Sequence, residues 1–137
     1  MIEPSLALQT AICAHLVGSA AVVANVPTDH IRAGSTRPET LPAVVIGSGT
    51  VMNHGRAGGG QYVATVFLDL HIWTLDDGID LAKTIGASVG AALIDWPATN
   101  GFDLDEFKVT RVVWPADPDP RYGHGVLSIE AVVRWKL

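Results

Sequence analysis

His71 stands two residues after Asp69 in the run Val66-Phe-Leu-Asp-Leu-His-Ile-Trp73, and on a strand those two side chains share a face. A carboxylate beside an imidazole is the start of a general base or of a metal site. The rest of the sequence completes neither. Five histidines are present, but His15, His30, His54, His71 and His124 share no short ligand spacing, and no HExxH or paired-cysteine pattern accompanies them. His71 is therefore expected to be a surface or interface histidine, and His124 to open the last strand. Gly47-Ser48-Gly49 follows a strand, where a phosphate loop or nucleophile elbow would begin, yet Met52 stands where a dinucleotide loop needs its third glycine. No Gly-Lys-Ser/Thr and no Gly-x-Ser-x-Gly follows either, so a plain turn is expected.

The acidic clusters read the same way. Asp103, Asp105 and Glu106, with Asp95 before them, resemble a carboxylate dyad only in composition, because acid/base work needs two carboxyls in opposed environments. They are expected in a solvated loop ahead of a strand. Asp117 and Asp119, interleaved with Pro115, Pro118 and Pro120, predict stiff turns, and the twelve-residue calcium loop is absent. Cys13 is the single cysteine, which excludes an intramolecular disulfide, fits a reducing compartment and reads as a structural thiol. No catalytic, cofactor-binding or metal-binding residue is assigned, and the chain is read as not an enzyme.

The chain has 137 residues, about one domain, long enough for a core without staples. Charged residues make up 17% of it, below the roughly 25% of typical soluble proteins, and 48% are hydrophobic. Association with other subunits is the natural way to bury that excess. The formal charge of −5 with no Lys/Arg-rich run disfavours sustained nucleic-acid binding. Ala11–Ala24 is too short to span a bilayer, which takes about twenty apolar residues. Its upstream flank carries Glu3 and neither Lys nor Arg, so neither a membrane anchor nor a secretory leader is expected.

Pro4 followed by Leu8, Ile12 and Leu16 at four-residue spacing predicts an amphipathic helix stopped by Gly18. Ser19–Ala24 suits a second short helix. Asn25–Pro42 reads as an extended connection with a brief strand at His30–Ala33. Ala43–Gly47 is a β-branched strand. Ser48–Gln61, with Gly49, Gly55 and Gly58-Gly59-Gly60, is expected to be a mobile loop that orders on contact. From Tyr62 to Trp73 the even positions are all apolar, giving one core face and one interface-like face. Asp76 and Asp77 are expected to cap a helix over Ile79–Asp95, striped by Leu81, Ile85, Val89 and Leu93. Gly86 and Gly90, at roughly 1 kcal/mol each in lost propensity, suggest close backbone approach to a sheet or another subunit. A strand at Phe107–Trp114 and an alternating final segment Gly125–Leu137 complete one α+β domain over residues 1–137. Its expected architecture is a mainly antiparallel sheet of about four strands with two principal helices packed on it.

This order resembles the phage tail-completion, or tail terminator, family. The resemblance rests on the helix at Leu6–Leu16, on Leu41-Pro-Ala-Val-Val-Ile46, on the strand ending His71-Ile-Trp73-Thr74, on the helix after it, and on Tyr122-Gly-His124-Gly-Val126 entering the last strand. It implies a virion structural protein of tailed phages or phage-like gene transfer agents, assembled in the bacterial cytoplasm. Such proteins form a hexameric ring that caps the tail tube, ends its growth and joins tail to head. The implied partners are further copies of the chain, the tail tube protein and the head-closure (stopper) protein, with DNA passing through the lumen without specific binding and no membrane involved. Met52, His54, Arg56, Asp69, His71 and Arg134 are the expected interface residues. The alternatives are another ring-forming neck component, or a small ligand-binding or enzymatic α+β domain with its pocket between helices and sheet.

Overall fold

The computed structural model describes residues 1–34, 37–75 and 79–137. Its elements are helices α1 (Pro4–Val17) and α2 (Ala20–Val23), strands β1 (Ile31–Ala33), β2 (Ala43–Ile46), β3 (Thr50–Ala57) and β4 (Gln61–Leu75), helix α3 (Asp80–Ala92), and strands β5 (Asp103–Val113) and β6 (Tyr122–Lys136). The α+β class is as expected, with six strands in place of four and one parallel pair, β1 with β2. The order is β1-β2-β4-β6-β5, with β3 also hydrogen-bonded to β4.

The two long strands carry the sheet because strict alternation gives each a continuous apolar face. Ala64, Val66, Leu68, Leu70 and Ile72 of β4 and Leu127, Ile129, Ala131, Val133 and Trp135 of β6 are all buried. The antiparallel register Ala64↔Val133 through Leu70↔Leu127 puts the two sets side by side. Leu137, expected on this face, lies beyond the strand end and is exposed. Helix α1 begins where the Glu3 carboxylate accepts from the Leu6 N–H at 2.7 Å, an N-cap of the kind that satisfies an orphan donor. Its fully buried Leu8, Ile12 and Leu16 contribute about 1.5 to 3 kcal/mol each in transfer free energy. The Gln9 amide donates to the carbonyls of Ile46 and Gly47 at 2.9 and 3.0 Å, clipping α1 to the end of β2. His15 donates to the Ala92 carbonyl at 2.7 Å, tying α1 to the end of α3.

Helix α3 buries Ala82, Ile85, Gly86 and Val89. A Cβ at Gly86 would lie 2.5 Å from Trp114 and one at Gly125 would lie 2.5 Å from the same ring, so the indole is held between helix and sheet by two absent side chains. The close approach expected of Gly86 is real. Gly90 meets nothing within 4 Å in this chain. The expected cap at Asp76 and Asp77 lies outside the described residues.

Two expectations fail. Ser48–Gln61 is not a mobile loop: Thr50–Ala57 is a strand paired with Gln61–Phe67. Its glycines serve geometry: Gly55 (φ +90°) sits at the register shift, and Gly59 and Gly60 (φ +77° and +71°) close the hairpin turn. Asp103, Asp105 and Glu106 are likewise not a loop but the start of β5, the outermost strand. Alternating and bulged charges on an edge strand discourage uncontrolled pairing, which is why a strand there tolerates acidic residues.

Candidate functional site

Among the described residues the helices cover one face of the sheet and leave the other open. Cross-strand registers carry single rungs over that open face, such as Met52–Thr65–Val132–Glu106 and Thr50–Phe67–Glu130–Lys108. Residues opposite one another on adjacent strands share a face, so the open face divides into three zones.

The first lies on β3 and β4. Met52 and Phe67 are exposed there at 49% and 37%, an apolar patch on otherwise polar rungs. His54, at the bulge, bonds the Thr65 hydroxyl at 2.6 Å and covers it, which accounts for a threonine only 6% exposed on the uncovered side of the sheet. The second zone lies on β5 and β6. Arg134 donates to the Asp105 carboxylate at 3.0 to 3.2 Å and lies 3.4 Å from Asp103, while Lys108 lies 3.0 Å from Glu106 and 4.0 Å from Glu130. These pairs are solvated and contribute little to stability, but they hold the charges in a fixed pattern.

The third zone is aromatic and sits at the other end of β4 and β6. His71 Nδ1 lies 2.9 Å from His124 Nε2, one nitrogen donating and the other accepting. The His124 ring lies flat on Trp73, centroids 3.7 Å apart and 7° from parallel. Above them the Arg37 guanidinium stands 4.2 Å from the Tyr122 ring and 5.8 Å from that of Trp73. Its Nη1 reaches the two Asp117 carboxylate oxygens at 3.3 and 3.4 Å. The turn that presents Asp117 is braced as its prolines suggest: Asp117 accepts from the Asp119 N–H at 2.9 Å, and Asp119 accepts from the Arg121 N–H at 3.0 Å. Bonds from the Arg121 side chain and backbone hold the Asp119 carboxyl down to about 2.

Between the zones lies a shallow hollow of about 510 Å³ bordered by Phe67, Asp69, His71, Arg111 and Ser128. Asp69 accepts from the Ser128 hydroxyl at 2.8 Å, so Asp69 and His71, though on one strand face, have separate partners, Ser128 and His124. Of the six expected interface residues, Met52, His54, Asp69, His71 and Arg134 share the open face. Arg56 does not: it pairs across from Tyr62 on the opposite side, its guanidinium 5.8 Å from that ring. Arg134 is paired with Asp103 and Asp105 of its own chain. Sequence reasoning missed His124, Arg37 and Asp117. Only the register His124↔Trp73 and Val126↔His71 places the two histidines diagonally on one face, and no spacing along the chain encodes that.

The Cys13 thiol is half-buried, donates to the Ile31 carbonyl at 3.5 Å, and is pushed up in pKa by burial. It is held as an inert thiol. Among the described residues no three His, Cys, Asp or Glu side chains are grouped to hold a metal ion, and no helix is long and apolar enough to cross a membrane.

Comparison with known proteins gives the following. A family model described as "Tail completion protein gp17" matches residues 10–134. Among solved structures, a chain from the virion of a native gene transfer agent (GTA) particle superposes with a TM-score of 0.80 and 21% identity, over 93% of this chain and 95% of that one. The bacteriophage SPP1 gp17 protein superposes with a TM-score of 0.54 and 22% identity, over 98% of this chain and 91% of that one. No curated protein matches. At these identities the two structural likenesses speak for the fold, and the family model speaks for the family.

Proposed function

The chain belongs to the tail completion protein gp17 family, and from that premise we propose that it is a virion structural protein that closes into a hexameric ring on the tip of a tail tube. The ring stops addition of tube subunits and presents the surface to which the head-closure protein binds. Its setting is a phage or phage-like particle assembled in the bacterial cytoplasm. The observation that carries this reading is the family match over residues 10–134.

The physical character of the chain supports it. A sheet with one face uncovered, an apolar patch at Met52 and Phe67 and a low content of charge leaves surface that subunit contacts would bury. Repeated head-to-tail contacts close into a ring when the rotation between copies divides a full turn. A formal charge of −5 lets DNA pass a lumen without being held there.

Native mass spectrometry of the chain bound to tube ends is expected to give a species of six copies. A stable closed dimer in the particle would overturn the ring. At the residue level, Met52→Glu is the selective probe. Met52 is 49% exposed, so the change is expected to leave the isolated chain's stability within about 0.5 kcal/mol while placing a charge in the subunit contact. Loss of ring closure with an unchanged melting temperature is the expected result, and normal rings would remove Met52 from the interface. Arg134→Glu is a poorer probe, because it sets a third carboxylate beside Asp103 and Asp105 and perturbs β5 locally.

A further inference from the structure

We propose that His71 and His124 form a proton-sensitive latch, in which a second charge on the pair breaks the stack on Trp73 and releases the turn carrying Asp117 from the sheet. The argument is geometric. At 2.9 Å between Nδ1 and Nε2 the pair needs one hydrogen between its nitrogens. That condition is met when both rings are neutral and when one is charged, since a donor and an acceptor are then available. With both rings charged, both nitrogens carry hydrogens, the bond becomes a clash, and two like charges face each other at contact distance.

The surroundings do not offset that cost. On β4, Asp69 is already bonded by Ser128. From the turn before β6, Asp117 already receives Arg37 and the Asp119 N–H. Facing them are three cations. Arg37 stands over Trp73 and Tyr122, Arg32 of β1 lies on the rung Arg32–Val45–His71, and Arg111 of β5 borders the same hollow as His71. β2 contributes only Ala43 and Val45 opposite the cluster, and Arg121 is paired with Asp119. Three guanidinium groups against two engaged carboxylates oppose a second imidazolium. In agreement, burial first and His71 second hold His124 below the ordinary histidine value, with Asp117 acting in the other direction.

The latch has something to release. His124 supports Trp73, Trp73 and Tyr122 flank Arg37, and Arg37 holds Asp117, so the ring stack is continuous with the Arg37–Asp117 contact that ties down the turn. The sign of the linked stability follows. A histidine whose folded pKa is depressed binds fewer protons folded than unfolded. Its contribution is therefore complete above the unfolded value of 6.5 and is lost as pH falls below it towards the folded value.

The test is a proton and carbon NMR titration of the histidine rings in the full chain, with amide exchange, corrected for its intrinsic pH dependence, followed in parallel. The pair is expected to titrate in two coupled steps and not as two independent rings. Across the lower step, amides of residues 115–121 are expected to lose protection while those of Leu127–Val133 keep theirs. In His71→Asn the lower step disappears and residues 115–121 stay protected to lower pH. Independent titration of the two rings near the ordinary value, unchanged protection of the turn through the lower step, or simultaneous loss over turn and sheet would each overturn the latch. The wild-type measurement decides even where the variant does not fold.

Discussion

Gly125→Val is expected to lower the stability of the chain by about 3 kcal/mol, roughly a 10 °C fall in melting temperature for a domain of this length. On propensity alone the change should help, because valine suits a strand and glycine in a strand interior costs about 0.5 to 1 kcal/mol. Sterics decide otherwise. A Cβ at this position falls 2.5 and 2.8 Å from two atoms of the Trp114 ring, and the far side of that ring is closed by α3, where a Cβ at Gly86 would also be 2.5 Å away. The indole cannot retreat from the sheet without meeting the helix, so the clash is paid in strain across three elements. A double-mutant cycle checks the cause. With Trp114→Ala in the background the cost of Gly125→Val is expected to shrink by at least about 1 kcal/mol. Additive effects measured by denaturant unfolding would place the strain elsewhere.

The strands and helices that make the core were legible because each repeats its apolar residues at one period. Tyr62–Trp73 and Gly125–Leu137 alternate, Leu8–Leu16 and Leu81–Leu93 return every four residues, and the structure buries those faces. What was not legible depends on pairing across the chain. Thr50–Ala57 looked unconstrained because glycine was counted as freedom, whereas Gly55, Gly59 and Gly60 occupy positive-φ positions of a bulge and a turn. Asp103–Glu106 looked like a loop because acidic residues disfavour strands. They are tolerated on an edge where Arg134 and Lys108 lie across from them or beside them.

The open face shows the same limit. Met52 was picked as a contact of an expected loop, and Asp69 and His71 from the strand face they share, yet Asp69 serves Ser128 and His71 serves His124. Two histidines separated by the end of β4, α3 and β5 meet only because β4 and β6 run antiparallel in a particular register. A cluster assembled by register leaves no motif.

Tail completion is a matter of length and attachment, and both can be seen directly. On the proposed function, a tube end that is never capped would go on offering its growing surface to new subunits, and a tail without the proposed ring would lack a surface for the head. Deleting the gene is therefore expected to abolish joined particles, leaving DNA-filled heads without tails and free tails of uncontrolled length. Complementation with the wild-type chain should restore both. Met52→Glu should fail in the same manner as the deletion, although its isolated chain folds. Electron microscopy of particles from the deletion strain is the most direct measurement. Unattached heads beside tails with a broad length distribution are the predicted result, and tails of normal length joined to filled heads would contradict the assignment.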